Sequence, residues 1–403
     1  MGLLKWLRGE DMDYGVVAAL FGFIFLFLGL QYLDVKESTV FSWLFALSPI
    51  WLPITTFSIF FYKYMEMVGK LFYLDCGRVT YEVVLPQEVY KSPEAMEAVF
   101  SMLFNKASPD NLMETYLQGK QPQIFSFEIV SVGGEVKFYV NLPIKKGEKM
   151  LESAFYAQYP GIELRRQEMD YTGMIPGELG KYFAMSFHMT KNPGKSAANP
   201  IKTYRDLHLH DLPKEEEKVD PLTQLVEFMS SIKPSEIIWV QFLCKAHREE
   251  SFKLGQLRLK PHDHWPEEAH DAINKIMQRD PKTKAGPTDI DGMPRITPGE
   301  RETVEAIERN AEKPAFEMVS RWIYFCDLEK QKPIGDNFAG MLRSYAAYDV
   351  IGRGKVGITW RTDFNYKFVS DPFGTRLKAL RKQEVKEYKL RKLFSKFPTL
   401  SKI

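Results

Sequence analysis

The chain has 403 residues, of which 45% are apolar and 14% aromatic, enough for two or three domains with hydrophobic cores. Its three cysteines (Cys76, Cys244 and Cys326) are scattered, which excludes a disulfide framework and, without CxxC spacing, argues against a structural zinc site. The net charge of +2 is unevenly distributed, because the residues from Arg376 onward hold ten Lys and Arg against two Glu, a net +8.

Two long apolar runs dominate the N-terminus. Val16 to Leu33 and Val40 to Tyr62 contain no charged residue and no histidine, and only Asp34 to Thr39 separates them. A membrane-spanning helix needs about 20 apolar residues, so the runs predict a two-helix transmembrane hairpin within residues 1–70. The Lys and Arg near both ends of the hairpin favour a multi-pass membrane protein whose body is cytoplasmic. A buried soluble hairpin and a cleaved signal peptide are the alternatives.

Residues 78–168 are predicted to form a first ferredoxin-like unit with the order βαββαβ. The alternation of apolar and polar residues predicts strands, and Gly133-Gly134 is typical of a two-residue hairpin turn. Ser92-Pro93-Glu94 is a helix start with an N-cap, a proline and an acid. In chain order the predicted elements are Val79–Leu85, the helix after Ser92, Ile124–Val132, Glu135–Leu142, Lys149–Tyr159 and Ile162–Arg165.

The same order recurs in residues 180–361, which predicts a second ferredoxin-like unit with an insertion at 248–313. Its predicted elements are Tyr182–Met189, Asp220–Ile232, Ile237–Cys244, Phe316–Cys326, Phe338–Val350 and Val356–Trp360. Most of the insertion, Leu254 to Glu300, is polar and rich in Pro, Asp and Lys, and loops of this length are usually functional or disordered. A capping box at Thr297 predicts a helix through Asn310. The predicted fold class is therefore α+β: a transmembrane hairpin, two ferredoxin-like units and a basic helical tail at 372–403.

The sequence contains few motifs that carry chemistry. His262, His264 and His270 lie among carboxylates, but they lack the helical spacing of a metal site, so a solvated linker is the favoured interpretation. Gly352-Arg353-Gly354-Lys355 lacks the spacing and the Ser or Thr of a phosphate loop and is interpreted as a turn. We therefore predict no catalytic residue, no cofactor and no metal.

The basic tail is the one charged segment that indicates a kind of partner. Apolar residues alternate with cations from Arg376 to Phe397, as expected of an amphipathic helix on anionic lipid, a helix that contacts nucleic-acid phosphates, or a solvated helix that docks on a protein. The candidate contacts with an anionic partner are Arg376, Lys378, Arg381, Lys382, Lys386, Lys389, Arg391, Lys392 and Lys396.

Several stretches resemble a known family. They are Ile124-Phe-Ser-Phe-Glu-Ile-Val130, Glu135-Val-Lys-Phe-Tyr-Val140, Glu152-Ser-Ala-Phe-Tyr-Ala-Gln-Tyr-Pro160, Pro200-Ile-Lys-Thr203, Asp220-Pro-Leu222 and Glu236-Ile-Ile-Trp-Val-Gln241. Together they resemble the N-terminal region of the membrane-anchored TraG/TraD-like coupling ATPases of type IV secretion and conjugation. In that family a RecA-like motor with Walker motifs follows this region. Because no Walker motif occurs in this sequence, the resemblance implies a separate motor ATPase as partner.

The resulting functional hypothesis is a non-enzymatic, membrane-anchored component of a DNA-transfer or secretion assembly. Copies of the chain would form an oligomeric collar on the cytoplasmic face, with exposed sheet edges as self-assembly surfaces. The expected partners are membrane lipids, further copies of the chain, a motor ATPase and nucleic acid. The alternatives are a structural membrane protein or scaffold of a virus or envelope particle, and an enzyme that uses the histidine cluster.

Overall fold

The computed structural model describes residues 42, 46–86, 94–175, 179–191, 198–207, 222–248, 250–253, 256–262, 264–278, 296–328, 351, 356–360 and 375–393. The helices are α1 (Ser48–Cys76), α2 (Glu94–Leu103), α3 (Leu112–Tyr116), α4 (Ile144–Gln158), α5 (Leu179–Tyr182), α6 (Leu222–Ser230), α7 (His264–Ile276), α8 (Pro298–Ala311) and α9 (Thr375–Lys389). The strands are β1 (Arg78–Val84), β2 (Ile124–Val132), β3 (Glu135–Pro143), β4 (Glu163–Gln167), β5 (Phe183–Lys191), β6 (Ile237–Ala246), β7 (Glu250–Lys253), β8 (Gln256–His262), β9 (Phe316–Phe325) and β10 (Val356–Trp360).

The predicted transmembrane hairpin is wrong for the part of the chain that the structure describes. No helix there is long and apolar enough to cross a bilayer, and this overturns the two-span fold class and the membrane localisation. The second apolar run fails because only Ser48 to Tyr62 lies in α1, fewer residues than the roughly 20 that a span needs. Beyond Tyr62, α1 continues through Glu66, which pairs with Lys63 and Lys70 at 3.2 and 2.6 Å. The first run, Val16 to Leu33, lies outside the described residues.

Two compact bodies make up the chain. The smaller contains residues 1–70 and 251–259, and the larger contains residues 71–250 and 260–403. Within the smaller body, the described part of α1 exposes several large apolar side chains, including Phe57, Ile59 and Phe60.

The larger body is built on one antiparallel sheet of eight strands, in the order β10-β5-β9-β6-β2-β3-β1-β4. In the first predicted unit the order β2-β3-β1-β4, with antiparallel neighbours throughout, is that of a split βαβ motif. In the second, β6-β9-β5-β10 repeats that order strand for strand. The two units are joined because β2 pairs with β6 over nine residues, from Ile124↔Lys245 to Val132↔Ile237.

The β2-β6 pairing, here called the seam, changes which strand edges are free to pair with another chain. The second strand of each unit, which would be an edge in an isolated ferredoxin-like fold, pairs with its counterpart in the other unit. Among the described strands, the outer positions of the sheet fall to β4 and β10. The sequence of β4, Glu-Leu-Arg-Arg-Gln, carries three charges, a pattern that discourages edge-to-edge pairing.

Helices pack on both faces of the sheet, and the side chains of its central strands are therefore buried. The central strands β2, β6 and β9 are buried at almost every position, whereas β4 at the edge is largely exposed. On one face, α2 and α4 enclose a core that includes Val99, Leu142 and Leu151, and α6 encloses another around Met229 and Trp322. The opposite face carries α9, whose Val385 and Tyr388 pack with strand residues.

The insertion is more structured than the sequence suggested. The insertion contains the two-stranded sheet β7-β8, and its polar stretch Leu254 to Glu300 contains β8 and the helix α7. α7 packs on α8 through small and branched apolar residues, including Ala269, Ile273 and Ile307. α8 begins with the predicted capping box, in which Thr297 and Glu300 bond to each other's backbone N–H groups.

The β2-β3 turn packs closely against the end of α6, and it gives a first testable prediction. Gly133 and Gly134 have φ of +60° and +94°, and a Cβ on Gly134 would lie 2.7 Å from the carbonyl oxygen of Ser230, at the end of α6. We expect Gly134→Ala to lower the free energy of unfolding by about 2 kcal/mol in urea titrations, since it combines a left-handed backbone with a clash. Gly173→Ala, which meets nothing within 4 Å, is the control and should change it by less than about 0.5 kcal/mol.

Candidate functional site

Four polar residues form a row across the centre of the sheet, here called the polar row. His188, Arg321, Gln241 and Glu128 come from β5, β9, β6 and β2, and each is the Cα partner of the next. All four are at most 1% exposed. Because a buried charge is costly unless it is paired, such a row needs polar partners from the layer above it.

α9 and the turn after it supply those partners. Glu384, Glu387, Tyr388 and Arg391 follow one another at the i, i+3, i+4, i+7 spacing of one helix face. Each contacts one member of the polar row. His188 Nε2 lies 3.1 Å from Glu384 Oε2, and Arg391 pairs with Glu128. Between them, Arg321 Nη1 donates to the Glu387 carbonyl at 3.0 Å, and Gln241 Nε2 donates to the Tyr388 carbonyl at 3.2 Å. The order of contacts therefore fixes both the position and the direction of α9.

The Glu128–Arg391 pair is the strongest contact of this layer. Arg391 donates to both carboxylate oxygens of Glu128, at 3.0 and 3.1 Å, which is the bidentate geometry of a strong ion pair. Arg391 also donates to Asp170. Glu128 accepts further hydrogen bonds from Tyr171 at 2.6 Å and Gln241 at 2.8 Å, so both of its oxygens are well satisfied.

The pKa shifts agree with this arrangement. Burial opposes the charge on Arg391, but the charge of Glu128 and the bond to Asp170 raise its pKa above the ordinary value. Burial, and then the charge of Glu128, raise the pKa of Tyr171 and Tyr388 well above theirs. Burial likewise opposes ionisation of Asp170, yet the bond from Arg391 outweighs it and holds the pKa below its usual range. Near neutral pH, Asp170 is therefore ionised beside the charged guanidinium of Arg391, and both phenols are neutral.

Arg391 also holds an uncommon backbone conformation. Its φ is +46°, in the left-handed region, which at helix ends is usually occupied by glycine. The Arg391 N–H bonds to the carbonyl of Tyr388, and the Lys392 N–H bonds to that of Glu387, which is the Schellman pattern of a helix end. Left-handed backbone costs an ordinary residue roughly 1–2 kcal/mol. The bidentate ion pair offsets that cost, and this accounts for an arginine at a glycine position.

The opposite side of α9 presents four exposed lysines, here called the lysine row: Lys378, Lys382, Lys386 and Lys389. At 100° per residue they fall within an arc of about 80°. The acids of α9, Glu384 and Glu387, are 2% and 4% exposed and face the sheet. Within the described part of the chain, none of the four lysines makes an ion pair. Acid and base are thus separated onto opposite faces of one helix.

The structure divides the predicted anionic-partner contacts into two groups. Lys378, Lys382, Lys386 and Lys389 are available at the surface, whereas Arg391 is buried in its ion pairs. Arg381 is half-buried, with its guanidinium 5.6 Å from the centre of the Phe183 ring, and burial lowers its pKa. Lys392 lies 4.0 Å from Glu387. The side chain of Arg376 and all of Lys396 lie outside the described residues.

The histidine cluster is split between secondary-structure elements. His262 ends β8, His264 begins α7, and His270 is exposed on α7. Among the residues that the structure describes, no three or more His, Cys, Asp or Glu side chains come together as a metal site would require. The Gly352–Lys355 turn lies outside those residues.

The polar row escaped the sequence analysis, although the sequence contains a signal for it. Each of the four strands has one large polar residue near its middle, between mostly apolar neighbours: His188, Arg321, Gln241 and Glu128. One such residue would suggest a local exception. Four in consecutively paired strands indicate a shared polar layer, but only the strand order shows that they align.

Comparison of the chain with known proteins identified no related protein. No family model, curated protein or solved structure matches the chain. The resemblance to TraG/TraD-like coupling ATPases therefore stays a prediction.

Proposed function

We propose that this protein is a non-enzymatic component of a larger assembly, and that it docks nucleic acid through the lysine row of α9. The observation that carries the proposal is the separation of charge on that helix. Both of its acids are buried against His188 and Arg321, which leaves an exposed face on which the described charged side chains are lysines. A row of cations without carboxylates attracts a polyanion and holds it at the surface.

Because the exposed cations are lysines, a phosphate ligand is favoured over a protein partner. Lysine is depleted from the centres of protein–protein interfaces, where aromatic residues, Met and Arg are enriched. Lysine suits phosphate contacts as a flexible point charge. From α9 through residue 393, Leu390 is the one large apolar side chain in the described tail that is more than half exposed, so this face offers little apolar area for a protein partner.

The remaining polar chemistry of the site is structural. The charged and phenolic groups of the polar row and its partners are sealed between the sheet and α9: Glu128, His188, Arg321, Tyr171, Tyr388, Glu384, Glu387 and Arg391 are each at most 4% exposed. A reactant could reach them only if α9 left the sheet. Their mutual pairing instead fixes the helix, and with it the position of the lysine row.

The test is a charge-removal experiment with a matched control. The lysine-row variant carries Lys378→Gln, Lys382→Gln, Lys386→Gln and Lys389→Gln. Counterion release lowers log K by about 0.9 per log unit of salt for each phosphate contact, so we expect its slope against log salt to be shallower than that of the wild type by about 3 to 4. Affinity for a mixed-sequence DNA duplex, measured by fluorescence anisotropy across salt concentrations, gives both slopes.

The control variant removes the same charge elsewhere, through Lys106→Gln, Lys149→Gln, Lys202→Gln and Lys233→Gln, which are exposed residues outside α9. It should retain the wild-type slope to within about one unit. Equal losses in the two variants would show a general charge effect and contradict the proposal. So would an acidic peptide that competes for the lysine row more strongly than DNA, because that result would indicate a protein partner.

A further inference from the structure

We infer that the nucleic acid bound by the lysine row is a duplex, held along its sugar–phosphate backbone without regard to base sequence. This inference rests on the proposed function and adds the class of ligand. It follows from which side chains of the tail are buried, and from the fixed position of the helix that carries the exposed ones.

The aromatic groups that could stack on bases are buried. Proteins that bind single strands combine basic grooves with exposed aromatic rings on which successive bases stack. Tyr388, the aromatic residue of α9, is 0% exposed, and its ring lies 5.2 Å from that of Trp239. Its hydroxyl lies 2.9 Å from the hydroxyl of Tyr171, which is also buried. The described part of the tail therefore presents no stacking platform for an unpaired base.

The arginines of the tail whose side chains are described already contact other parts of the protein. An arginine can stack on a base or read guanine through a bidentate contact. Arg391 already makes its bidentate contact with Glu128 and is 4% exposed, and Arg381 lies over the ring of Phe183. The exposed cations are lysines, which as point charges contact phosphates but carry little information about base sequence.

The geometry of the lysine row suits a stiff ligand. At 1.5 Å per residue, Lys378 and Lys389 are separated by about 16 Å along the axis of α9. One strand of a duplex presents a phosphate about every 3.4 Å of helix axis, so the row spans roughly five of them. Four buried contacts hold α9 in place. Because the backbone of α9 is already fixed and a duplex is already stiff, their binding orders only the lysine side chains, whereas a flexible single strand must itself be ordered first.

The deciding experiment compares a short DNA duplex with each of its separated strands, by fluorescence anisotropy on the full chain at about 0.15 M salt. We expect the duplex to bind at least about tenfold more tightly than either strand. A second duplex of scrambled sequence should bind within about twofold of the first, because phosphate contacts are indifferent to sequence. The lysine-row variant should lose the preference together with the affinity.

The outcomes separate this inference from the proposed function. Single strands that bind as tightly as the duplex, with binding that still depends on the lysine row, would overturn the duplex inference and leave the proposed function standing. A difference of about tenfold or more between the two duplexes would overturn sequence-independent binding in the same way. Binding that does not depend on the row, or no binding at all, would overturn both.

Discussion

Arg391→Met is expected to lower the free energy of unfolding by about 3–5 kcal/mol, because removing one partner of a buried ion pair leaves the other charge uncompensated. Glu128, 1% exposed, would keep the bonds from Tyr171 and Gln241 but lose both bonds from the guanidinium. Asp170 would lose its cation as well. Urea unfolding followed by circular dichroism measures the change.

The control is Lys389→Met, two residues earlier, which removes an exposed positive charge and should change the free energy of unfolding by no more than about 0.5 kcal/mol. Arg391→Gly tests the backbone contribution separately. It also loses the ion pair but relieves the positive φ, so it should be less destabilised than Arg391→Met by about 1 kcal/mol. A loss below about 1 kcal/mol for Arg391→Met would contradict the role given to this residue.

Trp239→Ala is the second substitution with a large expected effect, about 3–5 kcal/mol of lost stability, as for other large aromatic residues removed from a core. Trp239 is 1% exposed on β6 and is the register partner of Val130 on β2, so it lies at the seam between the two units. Its ring lies 4.8 Å from Phe325 and 5.2 Å from Tyr388, which joins the seam to α9.

The same variant should weaken the attachment of α9, because Tyr388 loses its principal ring neighbour. Hydrogen exchange of the amides in α9 should therefore accelerate more than that of β1, which lies away from the seam. Trp239→Phe is the matched control, since it keeps an aromatic ring in place and should lose less than half as much stability. Uniform acceleration of exchange throughout the sheet, without an excess in α9, would contradict the coupling of seam and helix.

Local patterns predicted the strands and turns well, since each depends on neighbouring residues. The alternation in β2 and β3 and the two glycines between them define a hairpin without reference to the rest of the chain. The capping box at Thr297 is local in the same sense. The β2-β6 seam is not local, because its cross-strand contacts, such as the hydrogen bond from Gln241 to Glu128, join residues that lie far apart in the sequence.

Composition alone was insufficient in two places, the transmembrane prediction, which is wrong, and the tail, where it left the orientation of the side chains open. The length of the apolar run that ends at Tyr62 predicts a span, but its helix begins at Ser48 and passes into the charged stretch around Glu66. The pattern of the +8 tail predicts an amphipathic helix and nine candidate contacts with an anionic partner, but it does not show which of these cations face the sheet. The placement of Glu384 and Glu387 against the sheet, with Arg391 buried, reduces that surface to four described lysines.

A double-mutant cycle tests the central claim, that the polar row holds α9 in one position. The cycle compares the wild type, Glu128→Gln, Arg391→Met and the double variant in urea unfolding. If the two residues form a buried pair, the double variant should be more stable than the sum of the single losses predicts, by at least about 2 kcal/mol. A coupling energy below about 0.5 kcal/mol would show that the two residues act independently and would contradict the docking of α9 on the polar row.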